Sequence, residues 1–180
     1  VYKMVTAIAA IDDAGISRYL QIEDKGVYTR YEGYQPKCHI YTSTGTTHGV
    51  INMMQALSVS CNYYFYEVGR QTGITAMDLV AKGLGLGEAT GVELPESVGY
   101  RANSETKALL QKEDETQSGW YDADTIMAAI GQSENKFTPM QMACYTAALA
   151  NRGTRYEATF LSRVFSADYS QVIREHEPTV

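Results

Sequence analysis

The sequence has no cluster of basic residues and no long apolar run. Its 180 residues include 15 Lys or Arg and 21 Asp or Glu, and the formal net charge is -6. Nucleic-acid-binding surfaces concentrate Lys and Arg in stripes or patches, so this charge pattern argues against a nucleic-acid partner. No stretch is long and apolar enough to predict a membrane-spanning helix. The length is sufficient for one domain with a substantial core.

The sequence also lacks the cysteine spacing of a metal-binding motif. Its three cysteines, Cys38, Cys61 and Cys144, are far apart, and no Cys-x-x-Cys pair or local His–Cys cluster occurs. This pattern predicts small buried or half-buried thiols and no metal or other cofactor. A Cys61 nucleophile with His39 or His48 as its base is an alternative, but no local pattern supports it.

A polar turn in residues 57–69 is the first candidate site. Ser58, Ser60 and Asn62 lie between two apolar helical patterns, and such side chains favour interruptions because they bond to nearby backbone groups. The pattern predicts a helix, a tight turn and a second helix, with the Ser60 hydroxyl and the Asn62 amide pointing outward together. In the alternative, Ser60 only caps the second helix.

Lys3 is the second candidate. Residues 1–15 have apolar residues near helical spacing and a stop at Gly15, so Lys3 lies in the first turn of a predicted helix. The partial positive charge of a helix N-terminus opposes an ammonium, and burial would oppose it further. Lys3 is therefore a candidate base, and the alternative is a solvated surface lysine.

The rest of the chain predicts short helices and strands. Thr138, Pro139 and Gln141 form a strong helix start, and the helix to Ala150 is predicted to bury Met140, Ala143, Cys144 and Ala147. The other predicted elements are loop and short strands over 19–41, a polar loop over 42–49, helices over 52–57, 63–70, 75–82 and 125–130, an exposed polar segment over 95–117 with helix at 107–111, and a hairpin of 160–165 with 171–174.

Several segments together resemble the transpeptidase domain of penicillin-binding proteins, most closely the monofunctional class B type. They occur in the family's order over nearly the whole chain. The segments are Lys3-Met-Val-Thr-Ala-Ile-Ala-Ala, Thr47-His-Gly, Ala56-Leu-Ser-Val-Ser-Cys-Asn-Tyr-Tyr-Phe-Tyr, Gly91-Val-Glu-Leu-Pro, Ala129-Ile-Gly-Gln, and Thr138-Pro-Met-Gln-Met-Ala continuing to Thr154.

This family has three catalytic motifs, Ser-x-x-Lys, Ser-x-Asn and Lys-Thr-Gly. Lys3 matches the lysine of the first motif, whose serine would fall one residue before Val1, and Ser60 and Asn62 match the second. No Lys-Thr-Gly occurs, and the resemblance places it beyond Val180. The chain is therefore expected to be a single partial transpeptidase domain, 1–180, with the nucleophile and third motif outside it. The implied fold is α+β, the mainly helical portion of the domain with a few strands.

The resemblance implies a peptidoglycan D,D-transpeptidase that β-lactams acylate. The catalytic residues within the chain would be Lys3, Ser60 and Asn62, with no cofactor, and the fragment alone is expected to be inactive. Implied partners are stem peptides, β-lactams and cell-wall synthesis proteins, and the implied location is the outer side of the bacterial membrane. The alternatives are a D,D-carboxypeptidase, a β-lactamase, a β-lactam sensor domain, or a catalytically dead interaction module.

Overall fold

The computed structural model describes residues 1–111 and 119–180 and contains mostly short helices with two small antiparallel sheets. The expected α+β class is confirmed. The elements, in chain order, are α1 Lys3–Asp12, β1 Ile22–Asp24, α2 His39–Thr44, β2 Gly49–Ile51, α3 Met53–Ser58, α4 Asn62–Thr72, α5 Ile74–Gly83, α6 Ser104–Leu110, α7 Asp122–Ala128, α8 Pro139–Ala150, β3 Arg163–Phe165 and β4 Val172–Glu175.

The described residues divide into two compact units. The first contains residues 1–81 and 101–135, and α4 lies at its centre, packed against α1, α3, α7 and β1. The consecutive aromatic residues of α4 predicted a central helix, since they lie on all sides of it. Tyr64, Phe65 and Tyr66 are all buried, which confirms that prediction.

The second unit contains residues 82–100 and 136–180. Thr138 and Gln141 form the predicted capping box at the start of α8. The buried face of α8 differs from the predicted one, because Gln141, Tyr145 and Ala148 are buried instead. Gln141 is inside because its amide donates hydrogen bonds to two backbone carbonyls, those of Glu88 at 2.7 Å and Val98 at 2.9 Å. The apolar residues of α8 itself lie on all sides of the helix, so their spacing alone did not show which side is buried.

Local patterns predicted some boundaries and missed others. Asn52 starts α3 through a capping box with Gln55, as predicted. The hairpin of β3 and β4 is confirmed with shorter strands. The predicted loop over 42–49 instead contains the end of α2 and the start of β2.

The segment predicted to be exposed over 95–117 is only partly described, since its residues 112–117 lie outside the described ranges. Within the described part, the prediction is wrong for Ala102 and Lys107, which are buried. Lys107 is buried because its amine pairs with the Asp124 carboxylate at 2.6 Å.

The absence of a side chain at Gly69 allows α4 to lie close to the segment that follows α7. A Cβ at Gly69 would overlap the Cβ of Ala129. We therefore expect Gly69→Ala to lower the free energy of unfolding by about 1–3 kcal/mol. The control is Gly83→Ala at the end of α5, where a Cβ meets nothing within 4 Å. Denaturant unfolding of both variants tests this, and equal stability would contradict the close contact.

Candidate functional site

Lys3 is held by both residues of the predicted turn. Its Nζ donates hydrogen bonds to Ser60 Oγ at 2.8 Å, to the Ser60 backbone oxygen at 2.7 Å and to Asn62 Oδ1 at 2.6 Å. An ammonium has three protons to donate, so these three acceptors satisfy it fully. Lys3 is only 9% exposed, which rules out the alternative of a solvated surface lysine. The structure thus brings together all three residues that the sequence proposed as catalytic.

The turn between α3 and α4 points these groups at the amine. Ser60 has a positive φ of 54°, in the left-handed region that residues other than glycine adopt only rarely. Cys61 then caps α4, and its Sγ accepts a hydrogen bond from the Tyr64 backbone N–H at 3.4 Å. Since Cys61 is the cap, the alternative in which Ser60 caps the helix is wrong. The Ser60 hydroxyl is left to interact with Lys3.

Burial changes the proton affinity of the amine. Desolvation by burial lowers the pKa of Lys3, and electrostatic interactions with Cys61 and Cys38 oppose this by raising it. Desolvation is the larger effect, so the pKa of Lys3 stays below its ordinary value. The first turn of α1 contains no acidic residue to counter this. A neutral amine is therefore more accessible here than at an exposed lysine, and it can accept a proton from a nearby hydroxyl.

A second cluster, made of side chains that can bind a metal, includes Cys61 of the turn between α3 and α4. The donor atoms of Asp24, Cys38, His48 and Cys61 all lie within 4.8 Å of one another. His48 Nδ1 is 2.7 Å from Asp24 Oδ2, and the sulfurs of Cys38 and Cys61 are 3.8 Å apart. Three of the four residues are buried. Cys61 has no exposed surface, so it is unsuited to the alternative role of nucleophile.

This donor set fits zinc. Two sulfurs, one imidazole nitrogen and one carboxylate oxygen are ligands that Zn²⁺ accepts in a four-coordinate site. Burial opposes ionisation of Asp24, but hydrogen bonds from the backbone N–H groups of Gly26 and His48 outweigh it and leave the pKa lowered. The sequence-based prediction of no metal assumed that ligands lie close together in the chain. These four donors are distant in sequence and close in space.

A third cluster of polar side chains involves α4, and the sequence analysis did not predict it. The Tyr28 hydroxyl donates to Glu67 Oε2 at 2.6 Å, and the Arg70 guanidinium pairs with Glu67 Oε1 at 2.6 Å. Burial opposes ionisation of Glu67, but these hydrogen bonds hold its pKa at about 2. The carboxylate is fully occupied by its partners, so we assign it to the support of α4.

The family comparison agrees with this geometry. The model described as "Penicillin binding protein transpeptidase domain" matches residues 1–179. The chain belongs to this family. Among residues 1–111 and 119–180, no helix is both long and apolar enough to cross a bilayer.

Individual relatives extend the comparison. The chain is 39% identical to the peptidoglycan D,D-transpeptidase MrdA of Acinetobacter baumannii over 134 residues, which is 74% of its length. It is 29% identical over 99% of its length to MrdA of Escherichia coli K12. The match covers only 19% of the first relative and 27% of the second, so the chain corresponds to a small part of each.

A solved structure shows the same fold. The structure is the complex between penicillin-binding protein 2 and MreC of Helicobacter pylori. The match has a TM-score of 0.73 and 27% identity, and it covers 87% of this chain and 27% of the other.

The buried donor cluster predicts bound zinc. The whole protein, purified without chelators, should contain about one zinc per chain, and chelation should lower its melting temperature. When the free metal concentration is 100 to 1,000 times the dissociation constant, binding raises the free energy of unfolding by roughly 3–4 kcal/mol. His48→Ala should lose the zinc. His39→Ala is the control, because its exposed ring lies beside His48 and outside the cluster. Equal zinc content in both variants would contradict the assignment.

Proposed function

We propose that this chain is part of the catalytic domain of a peptidoglycan D,D-transpeptidase. The observation that carries the proposal is the triple hydrogen bond from Lys3 Nζ to Ser60 and Asn62. Such an arrangement supplies a base, a proton relay and an amide that can orient a substrate. The names of the curated MrdA relatives support the same activity.

In the proposed acylation step, a serine directly before Val1 attacks the carbonyl between two D-alanine residues of a stem peptide. The neutral amine of Lys3 takes the serine proton as the new C–O bond forms. The C–N bond then breaks, and the Ser60 hydroxyl passes a proton from Lys3 to the departing D-alanine nitrogen. The Asn62 side chain holds the amide of the substrate backbone.

In the second step, the amine of another stem peptide attacks the serine ester. As the new C–N bond forms, the ester C–O bond breaks, and the serine oxygen regains the proton that the attacking amine releases. The resulting amide bond cross-links the two peptides. A β-lactam resembles the D-alanine pair and forms the same ester, but this ester is resolved slowly. A Lys-Thr-Gly motif elsewhere in the whole protein would complete the site.

Partners and location are also proposed. The peptides and β-lactams would enter from the outer side of the bacterial membrane, to which the whole protein would be anchored. The structure of the Helicobacter pylori protein in complex with MreC supports a cell-wall synthesis protein as a further partner of the whole protein. The net charge of -6 gives no support to a nucleic-acid partner.

The first test is covalent labelling of the whole protein by a fluorescent penicillin. Lys3→Ala should lower the acylation rate by about 10²–10⁴-fold, because it removes the general base. Lys25→Ala is the control, since the Lys25 amine is exposed and pairs only loosely with Glu23 at 3.6 Å. Asn62→Ala should slow labelling less severely than Lys3→Ala. Wild-type labelling in Lys3→Ala would remove this residue from the mechanism, and rapid release of the penicillin would indicate a β-lactamase.

The second test is the pH dependence of acylation. The reactive form of Lys3 is the neutral amine, so the rate should rise as pH increases through its pKa. Because burial lowers that pKa, the rise should occur at lower pH than for an ordinary lysine, whose pKa is about 10.4. Stopped-flow labelling across the pH range measures the midpoint. A midpoint at or above the ordinary value would contradict an amine poised by burial.

A further inference from the structure

Ala129 contacts both helices that carry the site. This residue follows α7 and is fully buried. Its carbonyl accepts a hydrogen bond of 2.7 Å from Thr6 Oγ1 on α1. Its Cβ meets the backbone of Gly69 on α4, where a side chain would overlap it. One short segment therefore touches the helix that begins at Lys3 and the helix that begins at Asn62.

The Thr6 hydroxyl donates its hydrogen bond outside its own helix. A threonine inside a helix commonly donates to the carbonyl four residues earlier, as Thr72 does to Val68 at 2.8 Å. Thr6 instead donates to the carbonyl of Ala129, which caps the C-terminal end of α7. Thr6 has no exposed surface and lies about one turn after Lys3, on a neighbouring part of the same face.

Gly131 lies against Tyr2, the residue just before α1. Its φ is +84°, and a Cβ there would lie 2.6 Å from the Cβ of Tyr2. Tyr2 directly precedes Lys3 and is almost fully buried. The backbone at Gly131 therefore lies directly against the turn that carries the amine, and a larger residue would push that turn away.

We propose that Thr6 and Gly131 are positioning residues that set the place of the Lys3 amine. The Ala129–Gly131 segment contacts α1 at Thr6 and at Tyr2, while it also packs on α4. It thereby fixes how far α1 extends towards Ser60 and Asn62. The hydrogen bonds of Lys3 are 2.6–2.8 Å long, so a shift of about 1 Å would break them. Misplacement of that size can lower a catalysed rate by about 10²-fold.

This inference rests on the proposed function, and it is tested in the whole protein with a penicillin. The non-covalent binding constant and the acylation rate constant are measured separately, each across pH. Thr6→Val keeps the shape of the side chain and removes the hydroxyl. We expect its acylation rate constant to fall by roughly 10- to 100-fold while binding changes by about 2-fold or less.

The pH profile separates positioning from general loss of stability. If Lys3 leaves its buried position, its pKa rises towards the ordinary value, so the rise in rate should move to higher pH. Thr6→Ser restores the hydroxyl and should return both the rate and the pH midpoint to near wild type. Thr72→Val is the matched control, because it also removes a hydroxyl bonded to a carbonyl but at the far end of α4 from Asn62.

The outcomes distinguish this inference from the function on which it rests. If the wild-type protein is not acylated, the proposed function and this inference both fail. If wild type is acylated and Thr6→Val matches Thr72→Val in rate and pH midpoint, only the inference fails. Should Thr6→Val not fold, Gly131→Ala takes its place, since it displaces Tyr2 without removing the hydrogen bond. A folded Gly131→Ala with wild-type kinetics would equally overturn the inference.

Discussion

The structure of the site depends on one buried amine. A lysine at the start of a helix is opposed by the helix dipole and, when buried, by desolvation. Lys3 is tolerated there because three oxygen atoms of Ser60 and Asn62 accept its hydrogen bonds. Desolvation by burial lowers the pKa of Lys3, and this effect outweighs the electrostatic interactions with Cys61 and Cys38 that raise it. The group that is costly to bury is thus also the group best suited to act as a base.

The helix α4 links this amine to the rest of its unit. Its start carries Asn62, its buried aromatic residues form the centre of the core, and its Gly69 allows contact with Ala129. Cys61 connects the turn to the donor cluster, because it caps α4 and also lies among Asp24, Cys38 and His48. A metal bound there would therefore hold the residue between Ser60 and Asn62.

Local sequence patterns predicted the features that depend on neighbouring residues. The capping boxes at Asn52 and Thr138 were predicted correctly, because each needs only a side chain and a backbone N–H three positions away. The polar turn at Ser60 was also predicted, because short polar side chains interrupt helices by bonding to nearby backbone groups. The buried face of α8 was predicted wrongly, because Gln141 is buried by carbonyls more than 40 residues away in the chain.

By itself, the sequence determined the order of helices and turns and the identity of the three candidate catalytic residues, since the resemblance is carried by short ordered motifs. Only the tertiary structure decided that Lys3 reaches Ser60 and Asn62 and that four separated donors meet in one cluster. It also decided that the Ala129–Gly131 segment lies against α1. These contacts join residues far apart in the chain, and their geometry follows from how the helices pack. Periodicity and spacing along the chain contain no measure of those distances.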